Sequence, residues 1–253
     1  MKKGEKAARI GLEAEQDIID WINSDELFSN AIKNCLCKLG FDTQKEYKLI
    51  ARTDNTKADI FIRINEKEEI GVSIKSSERT SFHQLDRRNL ENWKDLLNMP
   101  DDIFKIIKDA ILRVARNSKD TFILKKDRRK IKEFIAENLH KMISEVFKRN
   151  EEKLKLLIII DKIQRKIYLF CMDDVIKFVI EDAENNVGFT KKGIIKLGRF
   201  VTIQRKGGDS VTIKIPKTDW KHPGNQLQFK FSPLKFAQSV ESEQAIKFCV
   251  INY

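Results

Sequence analysis

The sequence contains no long apolar run. Its longest continuous apolar stretch covers residues 156–160, whereas a membrane-spanning helix needs roughly 18 such residues. The polar start of the chain is also not followed by the apolar segment that a signal peptide carries. We therefore expect a cytoplasmic protein with no membrane segment.

Cysteine and histidine are scarce. The four cysteines are Cys35, Cys37, Cys171 and Cys249, and the closely spaced first pair has no matching second pair that would complete a zinc site. The three histidines lie in dissimilar sequence settings and indicate no catalytic triad. We expect all four cysteines to be reduced thiols, most of them buried.

Positive charge, in contrast, is abundant. The 253 residues include 49 Lys and Arg against 38 Asp and Glu, which gives a formal net charge of +11. This excess favours a polyanionic partner such as nucleic acid. A hydrophobic content of 41% is enough for a packed core, in one large domain or two small ones.

Two stretches with alternating polarity organise the rest of the chain. Residues 58–64 and 70–75 both place apolar side chains at every second position, and a polar turn separates them. This pattern predicts a β-hairpin with one buried apolar face. Because side chains on a strand alternate between its two faces, the opposite face is expected to bring Asp59, Ser73 and Lys75 together.

These polar residues are the types that metal-dependent phosphodiester cleavage uses. Asp59 would hold Mg²⁺, a cation that prefers oxygen ligands, and the backbone carbonyl of Ile74 would be a second ligand. The ion would polarise the scissile phosphate and acidify a water, which Lys75 would position or whose developing charge it would stabilise. The same pattern is also typical of a half-buried hairpin with solvated charges.

Residues 5–23 have the apolar spacing of an amphipathic helix. Glu15 lies near its middle and is either a solvated side chain or a carboxylate that reaches the metal site. A second helix is predicted over residues 27–39, where Gly40 ends it.

The middle of the chain alternates between strand and helix patterns. Short strands are predicted at residues 47–51 and 166–170, and the continuously apolar residues 156–160 predict a strand central in its sheet. Helices are predicted within residues 101–150 and at 172–182. The expected fold class is therefore α/β, with a central mixed β-sheet flanked by helices.

The polar and basic residues 76–88 follow the hairpin directly. We expect this segment to begin as a loop and to become helical toward Trp93. Phe82 would either insert between base steps of DNA or pack at the start of that helix. Arg87 and Arg88 are candidates for phosphate contacts.

The last part of the chain is rich in strand patterns. Alternating stretches at residues 198–209, 211–215 and 226–231 predict strands with a polar face of Gln, Lys, Arg and Thr. Such a face suits contacts with base edges, although it is also typical of the solvated side of an ordinary sheet.

Together these segments resemble the small Type II restriction endonucleases of the HinP/MspI kind, which are four-base cutters with the PD-(D/E)xK fold. The similarity runs nearly end to end and is strongest at residues 11–18, at 57–60 with 73–75 and 82–86, and at 201–209 with 227–230. The wider family has a carboxylate at the position of Ser73. These relatives have an uncharged amide there, so the serine is a departure even among them.

The resemblance implies Mg²⁺-dependent cleavage of both strands of a short palindromic DNA site, with GCGC as the target. It implies one endonuclease domain over residues 1–253, with a catalytic core at about 5–182 and a β-rich DNA-recognition part at about 194–253. The implied catalytic residues are Glu15, Asp59, Ser73 and Lys75. The expected DNA contacts are Phe82, Gln84, Arg87, Gln204, Arg205, Lys206, Asp209, Gln228 and Lys230.

The expected partner is double-stranded DNA, and the host would need a companion DNA methyltransferase to protect its own sites. The protein itself would act as a monomer or a weak dimer. Two alternatives stay open, namely a DNA-binding protein whose nuclease site has decayed at Ser73 and a structure-specific nuclease such as a junction resolvase. RNA binding is less favoured, because the chain lacks the usual aromatic stacking motifs.

Overall fold

The computed structural model describes residues 3–43, 48–53, 57–208 and 214–253, with side chains from residue 11 onward. Its contacts divide the chain into two compact units. The first unit comprises Met1–Ser81, Lys148–Phe178 and Pro233–Tyr253, and the second comprises Phe82–Phe147 and Val179–Ser232.

The described residues form both helices and strands, in short runs of each along the chain. The helices are α1 (Lys3–Ser24), α2 (Glu26–Leu39), α3 (Leu90–Leu97), α4 (Asp101–Arg116), α5 (Arg128–Lys148), α6 (Met172–Glu184) and α7 (Pro233–Glu243). The strands are β1 (Ile50–Thr53), β2 (Ile60–Arg63), β3 (Glu69–Ser77), β4 (His83–Arg88), β5 (Leu154–Asp161), β6 (Lys166–Cys171), β7 (Val187–Phe189), β8 (Ile195–Leu197), β9 (Val201–Arg205), β10 (Leu227–Phe231) and β11 (Phe248–Asn252). Within the described ranges, no helix is both long and apolar enough to span a membrane.

The first unit is built on a mixed sheet. Its strand order in the described part of the chain is β1-β2-β3-β5-β6-β11. β3 and β5 are parallel, whereas the other neighbouring pairs are antiparallel. The apolar β5 lies in the interior of this sheet, as its continuous hydrophobicity predicts. The predicted fold class, a mixed sheet flanked by helices, is confirmed.

The apolar faces of α1 and the sheet form one core. Ala14, Ile18 and Ile22 of α1 are buried in a single cluster with Ile60 of β2 and Val72 of β3. The apolar residues that alternate along the hairpin and those that recur along α1 therefore pack in the same core. This contact fixes α1 beside the strand that carries Ser73 and Lys75.

The end of α2 agrees with the sequence prediction, but its cysteine does not. Gly40 follows the helix with a φ of 98°, a left-handed conformation that glycine adopts readily. Cys35 of α2 is bonded to Cys249 of β11, with 5.5 Å between their Cα atoms. The expectation of four reduced thiols is therefore wrong for this pair. Tertiary packing of α2 against β11 joins cysteines that are 214 residues apart.

The other two cysteines are free. Cys171 is half-buried. Cys37 is exposed, unlike the buried position expected for most of the cysteines.

The second unit is built on an antiparallel sheet. Its strand order, within the residues described, is β4-β10-β9-β8-β7. The inner face of this sheet packs against helices, and the rings of Trp93 in α3 and Phe229 in β10 lie 4.8 Å apart. Trp93 also lines a small apolar void together with Ile131 of α5, Ile203 of β9 and Leu227 of β10.

The segment 83–88 differs from its sequence prediction. It forms β4, which pairs with β10, and the helix begins only at Leu90. The sequence His83–Arg88 has no apolar alternation that would indicate a strand, so its pairing with β10 decides its conformation. The predicted strands at 198–209 and 226–231 correspond to β9 and β10. The predicted strand at 211–215 falls largely outside the described residues.

Candidate active site

The hairpin of β2 and β3 is closed by a side chain. The Asn65 carboxamide oxygen accepts the backbone N–H groups of Lys67 and Glu68 at 2.9 and 2.8 Å. This Asx-type turn sets the register in which Ile60 lies opposite Val72. The N–H of Asp59 then donates to the Val72 carbonyl at 2.8 Å. As a result, the Asp59 side chain lies next to residues 73–75 of β3.

The Asp59 carboxylate lies at the centre of the site. Its Oδ2 accepts the Ile74 backbone N–H at 2.6 Å, the Ser73 hydroxyl at 3.0 Å and the Lys75 ammonium at 3.1 Å. Ser73 and Lys75 reach the same carboxylate because alternate residues of β3 share a face. The structure therefore brings together the polar residues that the alternating pattern grouped, while their catalytic roles stay predictions.

The Lys75 ammonium is surrounded by oxygen atoms. Besides Asp59, it donates to the Ser73 hydroxyl at 2.9 Å and to the Ile74 carbonyl at 2.8 Å. An ammonium group has three N–H donors, and here they meet three oxygens. The Lys75 and Asp59 side chains are 17% and 25% exposed, so the ion pair is partly shielded but still open to solvent.

Glu15 of α1 approaches the same place. α1 packs against β3, and burial raises the pKa of the Glu15 carboxyl above its usual value. The negative charge of Asp59 raises this pKa further, whereas the Lys75 ammonium lowers it. The Glu15 and Asp59 carboxylates are thus close enough for their charges to interact, so a cation bound between them would be stabilised.

The donor atoms of this site fit a hard divalent cation. Among the described residues no three His, Cys, Asp or Glu side chains cluster as a metal site. The available ligands are the Asp59 and Glu15 carboxylates, with the Ile74 carbonyl and the Ser73 hydroxyl beside them. An all-oxygen set with few protein ligands suits Mg²⁺, which keeps several waters when bound to proteins.

The second unit carries most of the predicted DNA contacts on one face of its sheet. Gln228 of β10 lies opposite Gln204 of β9 and Arg87 of β4, and Lys230 lies opposite Gln84. The Gln228 carboxamide donates to the Gln84 carboxamide oxygen at 2.9 Å. These five side chains therefore lie on the sheet face opposite to the apolar core, where Gln228 is nevertheless only 7% exposed.

Lys206 adds a second positive charge near Arg87. Its backbone N–H donates to the Gln226 carbonyl at 2.9 Å, and its ammonium donates to the Pro223 carbonyl at 3.2 Å. Burial and then the charge of Arg87 hold the pKa of Lys206 below its usual value. The positive charges of Arg87 and Lys206 repel each other, so an anion bound near both would be stabilising.

Two arginines singled out by the sequence point into the second unit. Arg205 is buried on the inner face of β9, and its Nε–H donates to the Asn225 carboxamide oxygen at 2.8 Å. Arg88 of β4 pairs with Asp86 at 2.7 Å and with Glu145 of α5 at 2.8 Å. The guanidinium of Arg88 is thus held by buried carboxylates, which does not agree with the phosphate contact expected for it.

Phe82 and Asp209 are two further residues predicted to contact DNA. Phe82 is 40% exposed and directly precedes β4, and since the next helix begins only at Leu90, it does not lie at the start of that helix. Asp209 lies outside the described residues.

Sequence reasoning missed Asn225, whose carboxamide also donates to the Lys217 and Asp219 carbonyls at 3.0 and 2.7 Å. The only sequence signal for this residue is its place in a segment with proline, glycine and asparagine turn residues.

Comparison with solved structures finds a similar fold. A crystal structure of the restriction endonuclease MspI in complex with its cognate DNA aligns with 91% of this chain and 93% of that chain, with a TM-score of 0.59 and 16% sequence identity. No protein-family model matches the sequence, and no curated protein matches it. The resemblance to this group of restriction endonucleases is thereby confirmed at the level of the fold.

Proposed function

We propose that this protein is a Type II restriction endonuclease that cleaves both strands of DNA at a short palindromic site in the presence of Mg²⁺. The observation that carries the proposal is the contact of Asp59 with Ser73 and Lys75 on a hairpin within a restriction-endonuclease fold. The net charge of +11 agrees with a polyanionic substrate. The whole chain, residues 1–253, would act as one endonuclease.

The residues of the first unit have distinct roles in this proposal. Asp59, Glu15 and the Ile74 carbonyl would hold Mg²⁺, which when bound polarises the scissile phosphate and makes a nearby water more acidic. Lys75 would orient the attacking water or stabilise the charge that develops on the phosphate. The Ser73 hydroxyl contacts both Asp59 and Lys75 and would keep them in register.

The polar face of the second unit would read the DNA. Gln84, Gln204 and Gln228 carry amides that can both donate to and accept from base edges. Arg87 and Lys206 would bind phosphates or the acceptor atoms of guanine. Other contacts proposed on the same resemblance are Phe82, Asp209 and Lys230.

The biological setting follows from this activity. A site-specific nuclease needs a companion DNA methyltransferase that protects the host genome, acting on the same site without binding this protein. We propose GCGC as that site, and a monomer or weak dimer as the acting form.

Digestion of a long, fully sequenced and unmethylated DNA tests the proposal directly. With Mg²⁺ we expect discrete fragments that disappear when EDTA is added, and the sequences of the fragment ends identify the target. Intact DNA across several divalent metals, together with a salt-sensitive mobility shift, would instead indicate a DNA-binding protein with an inactive nuclease site. Cleavage of branched DNA alone would indicate a structure-specific nuclease.

A further inference from the structure

A glutamate far from the hairpin in sequence holds the backbone that leads into it. The Glu151 carboxylate accepts the N–H of Lys57 on one oxygen and the N–H of Ala58 on the other, each at 3.0 Å. These two consecutive N–H groups immediately precede Asp59. Hydrogen bonds from neutral donors to a carboxylate are stronger than those to a neutral acceptor, so the pair forms a firm clamp.

The turn that carries Glu151 has an unusual backbone. Arg149 and Asn150 adopt φ angles of 50° and 59°, in a left-handed region that residues other than glycine rarely occupy. The turn is closed where the Glu151 N–H donates to the Lys148 carbonyl at 2.9 Å and the Leu154 N–H donates to the Glu151 carbonyl at 3.0 Å. Such conformations persist where the surrounding structure requires them, and here they direct Glu151 toward residues 57 and 58.

The neighbouring backbone is packed without spare room. The Gly71 N–H of β3 donates to the Lys153 carbonyl at 2.7 Å. A Cβ at Gly71 would lie 3.0 Å from the Ala58 Cβ and 3.2 Å from the Lys153 oxygen. Since the Asp59 N–H is itself bonded to the Val72 carbonyl, the main chain is fixed on both sides of the Asp59 side chain.

We infer that Glu151 is a positioning residue that sets the direction of Asp59 and thereby the affinity of the site for a divalent cation. The inference rests on the proposed function, because it assumes that Asp59 is a metal ligand. Residues that orient metal ligands without touching the metal typically change metal affinity or activity by about 10–100-fold when they are replaced. Glu151 would act only through the backbone of residues 57 and 58.

The test compares three variants with the wild-type protein. Glu151→Gln keeps the size of the side chain but leaves only one acceptor oxygen, and Glu151→Ala removes both. Glu152→Gln is the matched control, because Glu152 is the exposed neighbour in the same turn. Mn²⁺ is the probe, since carboxylate and carbonyl ligands also suit this ion, and its binding is titrated by calorimetry without DNA.

We expect Mn²⁺ binding to weaken by about 10–100-fold in Glu151→Ala, to weaken less in Glu151→Gln and to be unchanged in Glu152→Gln. The Mg²⁺ concentration for half-maximal cleavage should rise in the same order, while metal-free DNA binding stays constant. A loss of folding alone would not produce this separation. Hydrogen exchange gives an independent readout, because the Lys57 and Ala58 amides should lose protection in both Glu151 variants.

The outcomes separate the inference from the proposed function. If the wild-type protein cleaves DNA and binds Mn²⁺ but the Glu151 variants do so equally well, the positioning role is refuted and the nuclease function stands. If the wild-type protein neither binds Mn²⁺ nor cleaves, the proposed function fails and the inference fails with it. If the amides of residues 57 and 58 exchange equally fast in all four proteins, the clamp itself is refuted.

Discussion

Replacement of Lys75 by alanine is the most direct test of the proposed mechanism. The Lys75 ammonium donates to Asp59, Ser73 and the Ile74 carbonyl at 3.1, 2.9 and 2.8 Å. In the Lys75→Ala variant all three interactions are lost, and with them a positive charge in contact with the Asp59 carboxylate. Folding and catalysis should respond to this loss very differently.

The effect on folding should be small. The Lys75 and Asp59 side chains retain 17% and 25% exposure, and ion pairs with access to water contribute only about 1 kcal/mol or less. After the substitution Asp59 keeps the Ile74 N–H and the Ser73 hydroxyl as hydrogen-bond donors. The free energy of unfolding should therefore decrease by about 1 kcal/mol.

The effect on cleavage should be far larger. Loss of a positioned proton-transfer group or charge stabiliser typically lowers the rate about 10²–10⁴-fold. At about 1.36 kcal/mol per factor of ten, this corresponds to roughly 3–5 kcal/mol of activation free energy. The activation free energy of cleavage should thus change by several kcal/mol more than the free energy of unfolding. Such a difference distinguishes a catalytic role from a structural one.

Single-turnover cleavage of a duplex with the target site measures the rate, and a mobility shift without metal measures DNA binding. Lys67→Ala is the matched control, because Lys67 is an exposed lysine in the turn of the same hairpin. The reasoning is refuted by a Lys75→Ala variant that cleaves at nearly the wild-type rate. It is also refuted if binding and cleavage decline by the same factor.

Three further predictions concern stability. Arg88→Ala should lower the free energy of unfolding by about 3–5 kcal/mol in urea denaturation, because it leaves two buried carboxylates without their cation. Glu241→Gln should destabilise at neutral pH but progressively less below about pH 4.5, in denaturation at several pH values. The hydrogen bond from Lys166 lowers the pKa of Glu241, so the stability it contributes is lost as pH falls through that lowered pKa. Cys35→Ser should lower the denaturation midpoint more under oxidising conditions than under reducing ones, because only the oxidised protein has the bond to Cys249 that restricts the unfolded chain.

Some features of the site could be predicted from the local sequence pattern, and others depend on tertiary packing. Period-two alternation around a polar turn predicts a hairpin, and the geometry of a strand then requires Ser73 and Lys75 to share a face. The approach of Asp59 to that pair follows from the same register. The helix that carries Glu15 was predictable from its spacing, but its packing against β3 was not, because spacing shows which face is apolar and not what covers it.

Charged side chains were the least predictable from sequence. Arg87 and Arg88 are adjacent and alike, yet Arg87 is exposed and Arg88 is bound to carboxylates from β4 and α5. Likewise, Gln204 projects from the polar face of its sheet, and Arg205 next to it points to the buried face and holds Asn225. Alternation along a strand places the two members of each pair on opposite faces. The inward-facing arginine is accommodated only because polar partners in the second unit form ion pairs or hydrogen bonds with it.

By itself the sequence determined the elements whose stability is local or periodic. These are α1, the turn closed by Asn65, the glycine end of α2 and the apolar strand β5, where the side chains involved lie within a few residues of each other. Only the tertiary structure decided the strand at 83–88, the Cys35–Cys249 bond and the clamp of Glu151 on the backbone before Asp59. Each depends on a partner distant in the sequence, in the last case 94 residues from Lys57, and such contacts form only when the packed core brings the two segments together.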